Sequence, residues 1–156
     1  MDEERKYLEI AIKLARNSIR KGGGPFGAVI VKDGRIISRS ENRVIPAGDP
    51  TAHAEVLAIR KAARKLGTHN LSGCVLYSSC EPCPMCLGAI YWARLSGVVY
   101  AAGRDDAANA GFDDSRIYHE ITLPPASRSL PFSQVRTGDD AEAFMIWQRT
   151  EDKIPY

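Results

Sequence analysis

Two short segments hold residue types that do chemistry together. His53-Ala54-Glu55 supplies an imidazole and a carboxylate, and Pro82-Cys83-Pro84-Met85-Cys86 supplies two thiols three residues apart. One imidazole and two thiolates can hold zinc with the fourth tetrahedral position left for water, as catalytic sites do and structural sites do not. Zinc so held makes hydroxide available near neutral pH. Glu55 is then a carboxylate off the metal, able to serve in turn as general base and general acid.

The spacing says where these groups must lie. Cys83 and Cys86 fall at an expected helix start, so both thiols share one side of it. The free N–H groups and positive end of that helix favour thiolates. His53 falls in the first turn of a second expected helix. Two residues along a regular helix differ by about 200°, so His53 and Glu55 do not share a face. Metal and substrate must therefore gather around the helix end, not along its side.

Other readings of the cysteines compete. A lone C-x-x-C also serves redox chemistry. Cys80, Cys83 and Cys86 match part of an iron–sulfur run, but no fourth cysteine follows in place, and His53 and Glu55 would have no use there. A structural zinc with Cys80 as fourth ligand is the stronger rival. Both motifs falling at helix entries favours the catalytic reading, with Cys80 packed at a strand end. Cys74 reads as a buried strand residue, since a free cysteine packs as a small hydrophobe. His69 and His119 read as ordinary surface or loop histidines.

The elements that position these groups follow from periodicity. Tyr7, Leu8, Ala11, Leu14, Ala15 and Ile19 recur at helical spacing, which predicts a helix over about 2–21. Gly22-Gly23-Gly24-Pro25 stops it. Two strands then flank Asp33-Gly34, a pair suited to a tight antiparallel hairpin. A second helix is expected over about 51–67, capped by Asp49 or Thr51. Strands follow at 75–79 and 97–102, with a helix at about 84–94 between them. Asp113-Asp114-Ser115 caps a short helix, Val135 lies in a fifth strand, and Ala141, Phe144, Met145 and Trp147 pattern a last helix near 139–149. Helices before and between strands predict a three-layer α/β/α sandwich around a central five-stranded mixed sheet. The hairpin pair would be antiparallel, and strands joined through helices parallel.

The 156 residues fit a single domain, 1–156, and the composition is ordinary for a soluble globular protein. No apolar run reaches the roughly 20 residues of a membrane helix. The first residues lack the apolar stretch of a signal peptide, so cytoplasm is the expected location. The net charge of +2 comes from scattered Lys and Arg, interrupted by Asp105-Asp106 and Asp113-Asp114. That favours a small-molecule substrate over nucleic acid, which usually calls for a basic patch.

The paired motifs, H-x-E and then P-C-x-x-C, are those of zinc deaminases that hydrolyse an amino group from a nitrogen heterocycle. The chain resembles the cytidine-deaminase-fold superfamily and, within it, bacterial guanine deaminases. The resemblance spans nearly the full length. It rests on Gly24 to Val31, Asn42, Asp49 to Glu55, Ser79 to Arg94, and Ala110 to Ser115, with a terminal Tyr156. It implies one Zn2+ per subunit on His53, Cys83 and Cys86, with water as fourth ligand, and a proton shuttle at Glu55. It implies a further catalytic role for Asp114. It implies a purine pocket formed by Phe26, Asn42, His53, Ala54, Trp92, Asp114 and Tyr156. A buried carboxylate and carbonyl can accept from guanine's donors, and an aromatic wall can stack on its face.

The stretch 121–133 and the tail before Tyr156 depart from that pattern. Guanosine or a triazine such as ammeline therefore stays open as a substrate, and the shared scaffold leaves the adenosine of a tRNA, cytosine and cytidine as further alternatives. The resemblance also implies a homodimer whose segment 150–156 is exchanged, Tyr156 closing the neighbouring pocket.

Overall fold

The computed structural model describes residues 2–156 and contains two compact units, one ending at Asp114 and one running Ser115–Tyr156. In the first, α1 (Asp2–Arg20) leads into a hairpin of β1 (Gly27–Lys32) and β2 (Arg35–Glu41). The hairpin turns on Asp33 and Gly34, with φ of 48° and 70°. Both values are left-handed, as the tightest two-residue turn requires. There follow α2 (Val44–Ala47), α3 (Ala54–Leu66), β3 (Cys74–Cys80), α4 (Pro84–Trp92), β4 (Gly97–Ala102) and α5 (Arg104–Asn109).

The strand order is β2-β1-β3-β4. β1 is antiparallel to both neighbours, and β3 and β4, joined through α4, run parallel. The period-two alternation of β1 builds both layers around the sheet. Ala28 and Ile30 pack with Ala54, Ala58 and Ala62 of α3 and Ile90 of α4. Val29 and Val31 pack with Tyr7 and Ala11 of α1. The small residues on the inner stripe of α3 let that helix lie close to the sheet. At Gly27 a side chain would collide with Ala11 and Ala15 of α1, so glycine permits the close approach there. The three-layer α/β/α sandwich is as expected.

The sheet has four strands among the described residues, not five. Residues 131–137 form no strand, and Val135 is 77% exposed. Val135 stands alone among Ser133, Gln134, Arg136 and Thr137, and Pro131 removes a backbone donor, so no alternating face exists to bury. The cap of α3 also differs from expectation. Asp49 Oδ1 accepts from the N–H and hydroxyl of Thr51 and so holds a turn, while the helix starts later, with His53 as its N-cap. α5 was not expected. Its signal was Asp106, whose carboxylate accepts from Gly103 N at the helix entry.

The second unit contains α6 (Ser115–Thr122), a 3-10 turn at Pro125–Ser127, and α7 (Glu142–Arg149). Glu120 accepts from Ser129 N, and Arg116 donates to Ser129 Oγ. None of its residues is buried. No helix among the described residues is long and apolar enough to cross a membrane.

Candidate active site

Two helix starts and one strand end build the site. His53 is the N-cap of α3, in extended backbone, and Cys83 is the N-cap of α4, with Pro84 as first helical residue. Proline suits that position because its missing N–H would have no helical partner anyway. Neither His53 nor Cys83 caps its helix with its own side chain. Both side chains turn instead to a common point, where His53 Nδ1 meets the two cysteine sulfurs. Because His53 precedes the regular helix, it and Glu55 reach the same region despite their spacing.

His53 Nδ1 lies 3.5 Å from Cys83 Sγ and 3.5 Å from Cys86 Sγ. A tetrahedral zinc with Zn–N of about 2.0 Å and Zn–S of about 2.3 Å puts nitrogen and sulfur about 3.5 Å apart. The donor set and its spacing therefore fit zinc. Cys80 does not join the cluster; its thiol faces Gly103 O at 3.7 Å. Among the described residues, three candidate protein donors gather and no fourth joins them. That removes the structural reading with Cys80.

The electrostatics suit a cation. The hydrogen bond from Cys86 holds the Cys83 thiol far below its usual range, at about 4, with His53 adding to the effect. The same bond pushes the Cys86 thiol up, so one proton serves two sulfurs. A metal would displace that proton. The sulfur of Cys83 raises the His53 imidazole pKa, against the effect of burial.

Glu55 is 4% exposed and is not part of the metal cluster. Ser78 Oγ donates to its Oε1 at 3.3 Å, and its Oε2 lies 3.4 Å from Cys86 Sγ. Burial raises the carboxyl pKa, which suits a group that must both take and give a proton. Ser78 continues the core-facing row of Cys74 and Leu76 on β3 and reaches Glu55. The reading of the sequence missed Ser78; a hydroxyl at an inward position of the strand, in line with Cys74 and Leu76, was its signal.

The remaining expected residues are distributed as follows. Ala54, fully buried, is the first residue of α3, so its backbone N–H is among those left unpaired by the helix. Asn42 follows β2, and Arg43 N bonds Ala52 O beside His53. Phe26 precedes β1 and meets Phe112 edge-on, ring centres 5.0 Å apart. Asp114 accepts from Arg104 Nε at 3.1 Å. All these positions stand at the end of the sheet where β3 and β4 finish, the usual place for a ligand in an α/β fold. Trp92 closes the opposite end of α4 and is 67% exposed. Tyr156 lies in the second unit and is 71% exposed.

An α/β/α sandwich with an open His–Cys–Cys triad and a buried, unligated glutamate defines a catalytic type of zinc-binding domain. Residues 1–102 match the family of the cytidine and deoxycytidylate deaminase zinc-binding region, and the chain belongs to that family. It is 55% identical over 151 residues to the guanine deaminase of Bacillus subtilis, covering 96% of this chain and 97% of that one. The X-ray structure of guanine deaminase from Bacillus subtilis superposes with a TM-score of 0.95 at 54% identity, covering 97% of this chain and 98% of that one. The tRNA-specific adenosine deaminase of Aquifex aeolicus is 47% identical over 96 residues, or 62% of this chain and 64% of the relative.

Proposed function

We propose that the protein is a zinc-dependent guanine deaminase, converting guanine and water to xanthine and ammonia. The observation that carries this is the open three-ligand cluster beside a buried carboxylate that is not a ligand. The extent of likeness to the Bacillus guanine deaminase supports guanine as the base.

His53, Cys83 and Cys86 would hold one zinc per subunit, and the zinc when bound supplies a water whose pKa is near 7. Glu55 would take the first proton of the attacking water and hand it to the ring nitrogen next to the amino-bearing carbon as the C–O bond forms, then carry the second proton from the added hydroxyl to the amine as the C–N bond breaks and ammonia leaves. Ser78 keeps the carboxylate in place through both transfers. Burial of Glu55 keeps bulk water from competing for its protons. Phe26 offers an aromatic face to the base, Asp114 accepts from a purine N–H while Arg104 steadies it, and Ala54, first residue of α3, offers its backbone N–H as a further donor.

We propose further that two copies assemble, each exchanging segment 150–156, so that Tyr156 and Trp92 serve a pocket shared between subunits. Two observations support this. α4 is apolar nearly all round, yet leaves Tyr91 and Trp92 exposed, and helices of that composition are normally buried. The second unit exposes Phe144, Ile146, Ile154 and Tyr156 and buries none of its residues. Exchange of a terminal segment is a low-cost route to a dimer. On this reading residues 1–156 act as one domain in the cytoplasm, with a small-molecule purine as substrate and no nucleic acid or membrane partner.

A tRNA adenosine deaminase is the second reading, favoured by likeness to the Aquifex enzyme. One experiment separates the two. The zinc-loaded protein is incubated with guanine, guanosine, adenine, cytosine, cytidine, ammeline and tRNA, and released ammonia or inosine is measured. Turnover of guanine is expected; turnover of another substrate with guanine untouched overturns the proposal.

A further inference from the structure

His53 is held from two sides by different means. Leu57 N donates to His53 O at 3.0 Å, so α3 fixes the carbonyl side. The nitrogen side lies before the first helical residue and depends on the loop that enters α3. A side chain swings with the backbone that carries it, so that loop decides where the imidazole stands.

The loop closes on Asp49. Asp49 N donates to Val44 O at 3.1 Å, which ties the residue to α2. Ala52 N donates to Asp49 O at 3.1 Å and closes a turn over 49–52. Pro50 takes the second place of that turn, where its fixed φ suits the backbone. Asp49 Oδ1 accepts from Thr51 N at 2.8 Å and from Thr51 Oγ1 at 2.7 Å. The hydroxyl, and after it the backbone N–H, hold the Asp49 carboxyl below its usual range. Two further bonds carry the order onward. Ala52 O accepts from Arg43 N at 2.9 Å, and His53 N donates to Thr51 O at 2.8 Å. Thr51 is thus pinned by Asp49 and pins His53 in turn. Asp49 itself is not a member of the His–Cys–Cys cluster.

We infer that Asp49 is a positioning residue for the metal site, its carboxylate acting through Thr51 to fix the backbone of His53 so that Nδ1 stands 3.5 Å from both sulfurs before an ion arrives. This rests on the zinc reading of the cluster above. An imidazole already in place loses little freedom when zinc binds, and the saved ordering appears as affinity. The oxygen of Asp49 matters as a hydrogen-bond acceptor, and its charge does not.

The test measures zinc affinity by competition with a chromophoric chelator, and unfolding midpoints with and without zinc. Asp49→Ala leaves Thr51 N and Oγ1 without their acceptor and should weaken zinc binding roughly tenfold or more. Asp49→Asn keeps an oxygen that accepts both bonds and drops the charge, so it should stay within about threefold of wild type. Thr51→Val removes one of the two bonds and should fall between them, and Thr51→Ser should recover the wild-type affinity. A role in loop stability alone would lower the unfolding midpoint of metal-free protein and leave zinc affinity untouched. If Asp49→Ala does not fold, Thr51→Val against Thr51→Ser decides by the same measure. Zinc affinity of Asp49→Ala within about twofold of wild type, or an equal loss in Asp49→Asn, overturns the inference. Wild-type protein that binds no zinc defeats the reading of the cluster instead, a separate and recognisable outcome.

Discussion

Replacing Glu55 by Gln isolates proton transfer from everything else at the site. The side chain keeps its size, and Gln can still accept from Ser78 Oγ through its carbonyl oxygen, as Glu55 Oε1 does at 3.3 Å. Its NH2 then faces Cys86 Sγ, which lies 3.4 Å from the present Oε2. With zinc bound, Cys86 is a thiolate and accepts from that NH2. No buried polar atom is left without a partner, so zinc content and unfolding midpoint should stay close to wild type. Catalysis should not survive. Positioned acid–base catalysis contributes about a hundredfold to ten-thousandfold, or about 3–5 kcal/mol of barrier. One carboxylate performs both transfers here, so the loss in kcat belongs at the upper end of that range. The assay is ammonia release from guanine by the zinc-loaded variant, with metal counted per chain. A fully metallated Glu55→Gln variant within tenfold of wild-type kcat would remove Glu55 from the mechanism.

Three further perturbations test other parts of the account. Cys80→Ala should keep one zinc per chain by elemental analysis, because that thiol faces Gly103 O and not the cluster; loss of the metal would restore the four-ligand reading. Ile30→Ala empties a fully buried position at the centre of the sheet and should cost about 2–5 kcal/mol in denaturant unfolding, with activity per folded molecule retained; a cost below about 1 kcal/mol would contradict the packing described. Deleting residues 153–156 should sharply lower guanine turnover while leaving zinc bound, whereas full activity in the shortened chain would refute a role for Tyr156 in closing a pocket.

The His–Cys–Cys cluster and the sheet layers were legible because each rests on local pattern. Asp33-Gly34 marks its turn by backbone freedom, β1 shows its two faces by alternation, and Cys83 and Cys86 carry their spacing within one helical turn. Errors arose where a local signal had two physical uses. Asp49 and Thr51 are good cap residues, but their hydrogen bonds close a turn on each other and leave the cap to His53. Val135 is a good strand former, but it has no apolar neighbour at period two. Asn42 is held by residues 18, 24, 26 and 44, largely through backbone atoms, which have no signature in side-chain type.

The unusual starts of α3 and α4 have a consequence for how the molecule breathes. A helix start is ordinarily secured by a Ser, Thr, Asp or Asn side chain worth about 1 kcal/mol. Here His53 and Cys83 hold those positions and turn their side chains to each other and to Cys86, so each first turn lacks its usual latch. Whatever ion joins the two residues becomes a clasp between two otherwise frayed ends. Amide protons at Glu55 to Leu57 and at Met85 to Leu87 should then exchange quickly in metal-stripped protein and slowly when zinc is restored. Hydrogen exchange at those few amides would report occupancy of the site without any substrate present.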